Sequence, residues 1–213
     1  MILNPHLDLR GKHATFGASK WHWINYETDE DFERAMIAEW ASDVGTGVHD
    51  FARRQIKYGK KVGNNKDARN NLLIFLLEDC KIPEYAIDID RIFENYRNYV
   101  NDCIGFHMTP EAPIYYGDNV FGTTDAILFT DNTLRIFDLK TGVRDVHPEQ
   151  LMIYAAFFCL EYRMKPKDIT IELRIYQNGE VGIIQPETQQ IEKIMSQAIR
   201  ANKIALRMAG SLI

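Results

Sequence analysis

Residues 122–140, GTTDAILFTDNTLRIFDLK, decide the fold. An apolar run from Thr123 to Phe129 and a second from Leu134 to Lys140 flank the polar pair Asp131-Asn132. That is the pattern of two antiparallel strands joined by a two-residue turn. Asp and Asn tolerate the left-handed backbone such a turn requires. With Thr130 opposite Thr133, counting back sets Phe129 against Leu134, Ile127 against Ile136 and Asp125 against Asp138. Strand side chains alternate with period two, so Lys140 falls on the face of Asp138. The other face, Ala126, Leu128, Phe137 and Leu139, is also mostly apolar. A hairpin apolar on both faces belongs inside a sheet covered on both sides.

Two carboxylates and an ammonium therefore meet at one end of the hairpin. Aspartates opposed at that separation repel unless a cation or a proton lies between them. A compact set of oxygen ligands suits a hard divalent ion such as magnesium or manganese. The alternative on spacing alone is a cross-strand Asp–Lys ion pair with a second, solvated Asp.

The 213-residue chain is 46% hydrophobic and 26% charged, as ordinary globular proteins are. Its length suits one domain over 1–213: a mostly helical part at 1–104, a sheet core with a buried helix at 105–185, and a C-terminal helix at 186–213. Cys80, Cys103 and Cys159 form no CxxC pair, which argues against a disulfide framework or a sulfur-ligated metal. A reducing cytoplasm fits that usage. The opening MILNPHLDLRGKH is too polar for a signal peptide, and no run reaches membrane-spanning length.

The net charge of −5 is unevenly spread. Residues 51–70 carry seven Lys or Arg, including Arg53, Arg54 and Lys57, against the single acid Asp67. Such a segment either steers a phosphate backbone or is a solvated helix end with a lysine-rich loop. Trp21, Trp23 and Tyr26 either stack on bases or anchor the N-terminal region to the core.

Helical spacing predicts a helix opened by Thr28 or Asp29. A second begins near Asp43 or Thr46 and carries Gly45, His49 and Arg53. Two more cover 67–82 and 89–104, separated by Pro83. Phe106 to Tyr116 should be extended, with Glu111 between Pro110 and Pro113. Beyond Lys140, a helix with Pro148 at its first position and His147 or Asp145 as cap carries Gln150 and Tyr154 one turn apart. A hairpin with an Asn-Gly turn over 169–185 and a helix over 187–209 stopped by Gly210 complete the chain.

Gly45-x-x-x-His49, Glu111, Gly122-x-x-Asp125, Asp138-x-Lys140 and Gln150-x-x-x-Tyr154, in this order, resemble the PD-(D/E)xK nuclease superfamily, and within it the RecB-like exonuclease branch with its phage members. The resemblance spans roughly residues 45–160. It implies an α/β restriction-endonuclease-like core, a mixed central sheet flanked by helices, after an N-terminal helical region. It further implies that Asp125, Asp138, the Leu139 carbonyl and His49 hold Mg²⁺ or Mn²⁺, and that Lys140 activates water and offsets phosphate charge. Glu111 would assist catalysis or be structural, and Gln150 and Tyr154 would line the site and contact DNA. Arg53, Arg54 and Lys57 are the basic residues expected to meet the DNA backbone.

The chain departs from the iron–sulfur subgroup of that branch, because only Cys159 lies beyond Tyr154; no such cluster is expected. The implied activity is a metal-dependent DNA exonuclease in phage recombination, repair or DNA processing. An endonuclease or nickase on the same scaffold, and an inactive DNA-binding module, are the alternatives. Partners of such an enzyme would be DNA, a recombinase, single-strand-binding protein or helicase, and further copies of the chain in a homo-oligomer.

Overall fold

The computed structural model describes residues 14–142 and 147–210, and the hairpin forms its centre. Asp131 and Asn132 both have positive φ, 49° and 56°. Strand β2 (Val120–Thr130) pairs with β3 (Thr133–Leu139) in the expected register, from Thr130–Thr133 to Ala126–Phe137. Strand β1 (Thr109–Gly117) lies antiparallel on the outer side of β2. On the other side β4 (Thr170–Gln177) runs parallel to β3, and β5 (Glu180–Ile184) closes a sheet of order β1-β2-β3-β4-β5. The β4–β5 turn uses Asn178 and Gly179, again with positive φ at both. Parallel neighbours need a crossover, supplied here by helix α5 (Glu149–Glu161).

Helices cover both faces. On one, Ala126, Phe137 and Leu139 pack with α2 (Ala41–Tyr58), α3 (Lys66–Ile74) and α4 (Ile89–Phe106). On the other, Ile127, Leu134 and Ile136 pack with α5 and with Ile191 of α6 (Thr188–Gly210). The architecture is thus α/β: a five-stranded mixed sheet flanked by helices, preceded by a helical region.

Several boundaries differ from the sequence reading. Helix α2 starts at Ala41, not near Asp43 or Thr46. Trp40 keeps a helical backbone between α1 (Asp29–Glu39) and α2, so no side-chain cap is needed. Thr28 does open α1, in a reciprocal cap with Asp31. The helix expected over 67–82 divides into α3 and a π-helical turn at Phe75–Asp79. Phe106 ends α4 rather than starting a strand; His107, with φ 59°, breaks the helix. Pro148 is the residue before α5 rather than its first, and Asp145 lies outside the described residues. Helix α6 runs through Gly210.

The opening MILNPHLDLRGKH also lies outside the described residues. The following aromatics do not enter the main core. Phe16, Trp23 and Tyr26 gather edge-on with Phe32 of α1, while Trp21 stays 53% exposed. Among the described residues no helix is long and apolar enough to cross a membrane.

Candidate metal centre

Helix α2 presents two stripes. Val44, Val48, Ala52 and Ile56 repeat every four residues and are buried. Gly45, His49 and Arg53 repeat with the same spacing one position on, and turn toward the end of the hairpin. The glycine that lets α2 sit close is Gly47 rather than Gly45. A Cβ on Gly47 would lie 2.8 Å from Leu76, whereas one on Gly45 would meet Thr141 Oγ1 at an ordinary 3.4 Å.

Opposite His49, the β2–β3 ladder stops at Ala126–Phe137, one step short of Asp125 and Asp138. Asp125 occupies that gap: its Oδ2 accepts from the backbone N–H of Leu139 at 2.9 Å, and its Oδ1 lies 3.3 Å from His49 Nδ1. The β1–β2 ladder omits Glu111 opposite Asp125. Glu111 has φ 52°, a left-handed conformation unusual for a residue with a side chain and a common mark of functional sites. Ligand atoms of His49, Glu111 and Asp125 all lie within 4.8 Å of one another. With Gly45, Thr46, Asp50 and Arg53 these residues line an open pocket of about 510 Å³.

Asp138, expected as a ligand beside Asp125, is not in that trio. It is 4% exposed, its Oδ1 accepts from Lys140 Nζ at 3.0 Å, and its buried Oδ2 has no hydrogen-bond partner. Burial and the Asp125 charge push its pKa up to about 6, against the pull of Lys140 and His49. Burial likewise raises Glu111, with Asp125 adding to it. For His49 burial is the largest influence and favours the neutral ring. The hydrogen bond to Asp125 and the charges of Asp125, Asp138 and Glu111 outweigh it and raise the pKa. Burial thus raises the two acids, and the surrounding negative charge raises His49 against burial. Two carboxylates, an imidazole and an orphaned buried oxygen fit a hard divalent ion such as Mg²⁺ or Mn²⁺.

Lys140 sits just past β3 and links two elements. Besides Asp138 it donates to Gln150 Oε1 at 3.3 Å, and Gln150 Nε2 reaches the Tyr154 hydroxyl at 3.4 Å. Tyr154 packs so closely on β2 that a Cβ on Gly122 would lie 2.8 Å from its ring, which gives the Gly122-x-x-Asp125 spacing a steric reason. The expected DNA contacts are less uniform. Arg53 and Arg54 both pair with Asp50, and Arg54 also covers the Phe75 ring; Lys57 is exposed a turn further on.

One supporting residue escaped the sequence reading. Asn95, 2% exposed on α4, donates to the Lys140 carbonyl at 3.2 Å and accepts from Gly179 N–H at 2.7 Å. Arg91 holds the Thr141 carbonyl beside it. The available signal was an amide on the apolar stripe Ile92–Tyr96–Tyr99, where an unpartnered polar group would be costly. A family model described as "Protein of unknown function (DUF2800)" matches residues 13–205. No curated protein and no solved structure matches the chain.

Proposed function

The chain belongs to the DUF2800 family, whose function is unknown, and from the geometry of the site we propose that it is a divalent-metal-dependent deoxyribonuclease with a PD-(D/E)xK-type core, acting as an exonuclease in DNA recombination, repair or processing. The observation that carries this reading is the convergence of His49, Glu111 and Asp125 next to the ion pair of buried Asp138 with half-buried Lys140. His49, Glu111 and Asp125 would hold Mg²⁺ or Mn²⁺, with the orphaned Asp138 oxygen and the Leu139 carbonyl as further donors. A bound ion would supply charge cancellation on the scissile phosphate and a more acidic water.

The chain's own groups do the rest. Asp125 is fixed by the Leu139 N–H, so its other oxygen, beside His49, is aimed without a rotameric search. Asp138 orients Lys140, and the ammonium would stabilise negative charge as it develops on the phosphate oxygens. Gln150 limits the swing of Lys140 and carries the contact on to Tyr154. Arg53, on the pocket wall, offers charge to the DNA backbone.

The test is cleavage of end-labelled linear, single-stranded and circular DNA with Mg²⁺, Mn²⁺ or EDTA. Loss of linear substrate alone, dependent on metal, supports the exonuclease. Lys140→Ala should cost about 10²–10³ in rate, and Asp125→Ala should abolish turnover. Cutting of circles would make the enzyme an endonuclease, and binding without cleavage under every metal would leave only a DNA-binding module.

A further inference from the structure

The outer half of the β1–β2 hairpin runs past the metal centre without a third strand, because β3 pairs with β2 only as far as Ala126. Its two faces differ sharply. Ile114 is buried with α5, Ala112 packs against the same cluster, and Gly122 takes the Tyr154 ring. The alternate residues, Pro113, Tyr115, Phe121 and Thr123, are all exposed. Inward of Glu111 the pattern inverts: Ile127 packs with α5 and Ala126 with the helices opposite. The left-handed Glu111 lies at this inversion, so the residues continuing the Glu111–Asp125 pair outward face solvent.

Along that face the cross-strand pairs are Pro113–Thr123 and then Tyr115–Phe121. Phe121 is four residues from Asp125, about 13 Å at strand rise. Tyr115 is 51% and Phe121 62% exposed. Tyr115 is nevertheless held in place: its N–H donates to Glu161 at 2.8 Å and its hydroxyl to Asp118 at 2.6 Å. Two adjacent aromatic side chains, one anchored and both exposed, form a preorganised surface in line with the carboxylates.

We propose that Tyr115 and Phe121 form a base-stacking platform for the unpaired nucleotides of a DNA strand whose phosphate lies at the His49–Glu111–Asp125 centre. This inference rests on the nuclease reading and narrows its substrate to single-stranded or frayed DNA. Bases inside a duplex are stacked on one another and offer no face to a side chain, whereas an unpaired base stacks on an aromatic ring regardless of sequence. The occupant is therefore a strand, with Arg53 on the wall of the pocket at the centre suited to its phosphates.

The test uses the full chain in EDTA, with fluorescence anisotropy of a labelled single-stranded oligonucleotide and of a blunt duplex of the same sequence. Tyr115→Ala with Phe121→Ala should weaken single-strand binding by about ten-fold or more and duplex binding by less than about two-fold. Tyr115→Phe with Phe121→Tyr should restore single-strand affinity. Wild-type-like single-strand binding by the double alanine variant, equal loss on both DNAs, or no single-strand binding by the wild type would each overturn the platform. No turnover occurs in EDTA, so an absence of cleavage in the metal series counts against the nuclease reading and stays separate from these outcomes.

Discussion

Beside the candidate centre, the sheet and α4 share a second charged group of similar size: Asp102 of α4 with Arg135, Glu172, Arg174 and Tyr176 of β3 and β4. Here the charges match. Arg174 donates to Glu172 at 2.8 Å and to Asp102 at 3.0 Å, and the Tyr176 hydroxyl donates to the same Asp102 oxygen at 2.7 Å. Arg135 lies 3.7 Å from Glu172, and both guanidinium groups cover the Phe106 ring. Burial alone would lower the Arg174 pKa, but Tyr176 and Glu172 raise it. At the centre, three carboxylates face one lysine and one histidine, an oxygen of Asp138 is left over, and burial favours protons on Asp138 and Glu111. A matched group stabilises the sheet as it stands. An unmatched one carries repulsion that a proton or a bound cation would relieve.

That contrast can be broken in three ways. Arg174→Met removes the cation from the matched group and should cost about 2–3 kcal/mol, less than for a fully buried pair because Arg174 keeps some exposure. Urea unfolding measures it, and an unchanged midpoint would mean the network is decorative. Mn²⁺ added to a hundred-fold excess over its Kd should stabilise the wild type by about 2.7 kcal/mol. Differential scanning fluorimetry should see a rise in Tm that EDTA reverses. The Arg174→Met variant should keep that rise and Asp125→Asn should lose it.

The third concerns Asp138 without metal. Its folded pKa, about 6, exceeds the ordinary 3.8, so between these values the folded state holds a proton that the unfolded chain has released. The Asp138 contribution to stability should therefore fall as pH rises through about 4 to 6, and His49, whose pKa is also raised, extends the fall above that window. Asp138→Asn should flatten this slope and, in EDTA at pH 7, be more stable than the wild type. A wild-type curve rising with pH across that window would show that Asp138 is ionised at little cost.

The hairpin register was legible because it is local. Two residues with positive φ and strict alternation fix every pair from Thr130–Thr133 inward, and the same logic located the β4–β5 turn. Gln150 and Tyr154 could be paired from helix geometry alone. Glu111 could not be assigned to Asp125 from the sequence, because the residue count between β1 and β2 leaves their register open and the left-handed Glu111 defies alternation. Helix edges at Trp40 and Phe106 were misjudged for a similar reason: packing extended α2 and α4 past the point where capping residues would have ended them.

The sequence by itself determined what repeats at short range: the strands, the two turns, the amphipathic stripe of α2 and the meeting of Asp125, Asp138 and Lys140 at one end of a hairpin. The family resemblance already set His49 with Asp125; only the tertiary structure decided that Glu111 completes the trio while Asp138 turns to Lys140, and that Asn95 holds the Lys140 backbone. The His49 and Asn95 contacts join residues dozens of positions apart. Their geometry depends on how helices seat against a twisted sheet, a long-range packing outcome that no local period encodes.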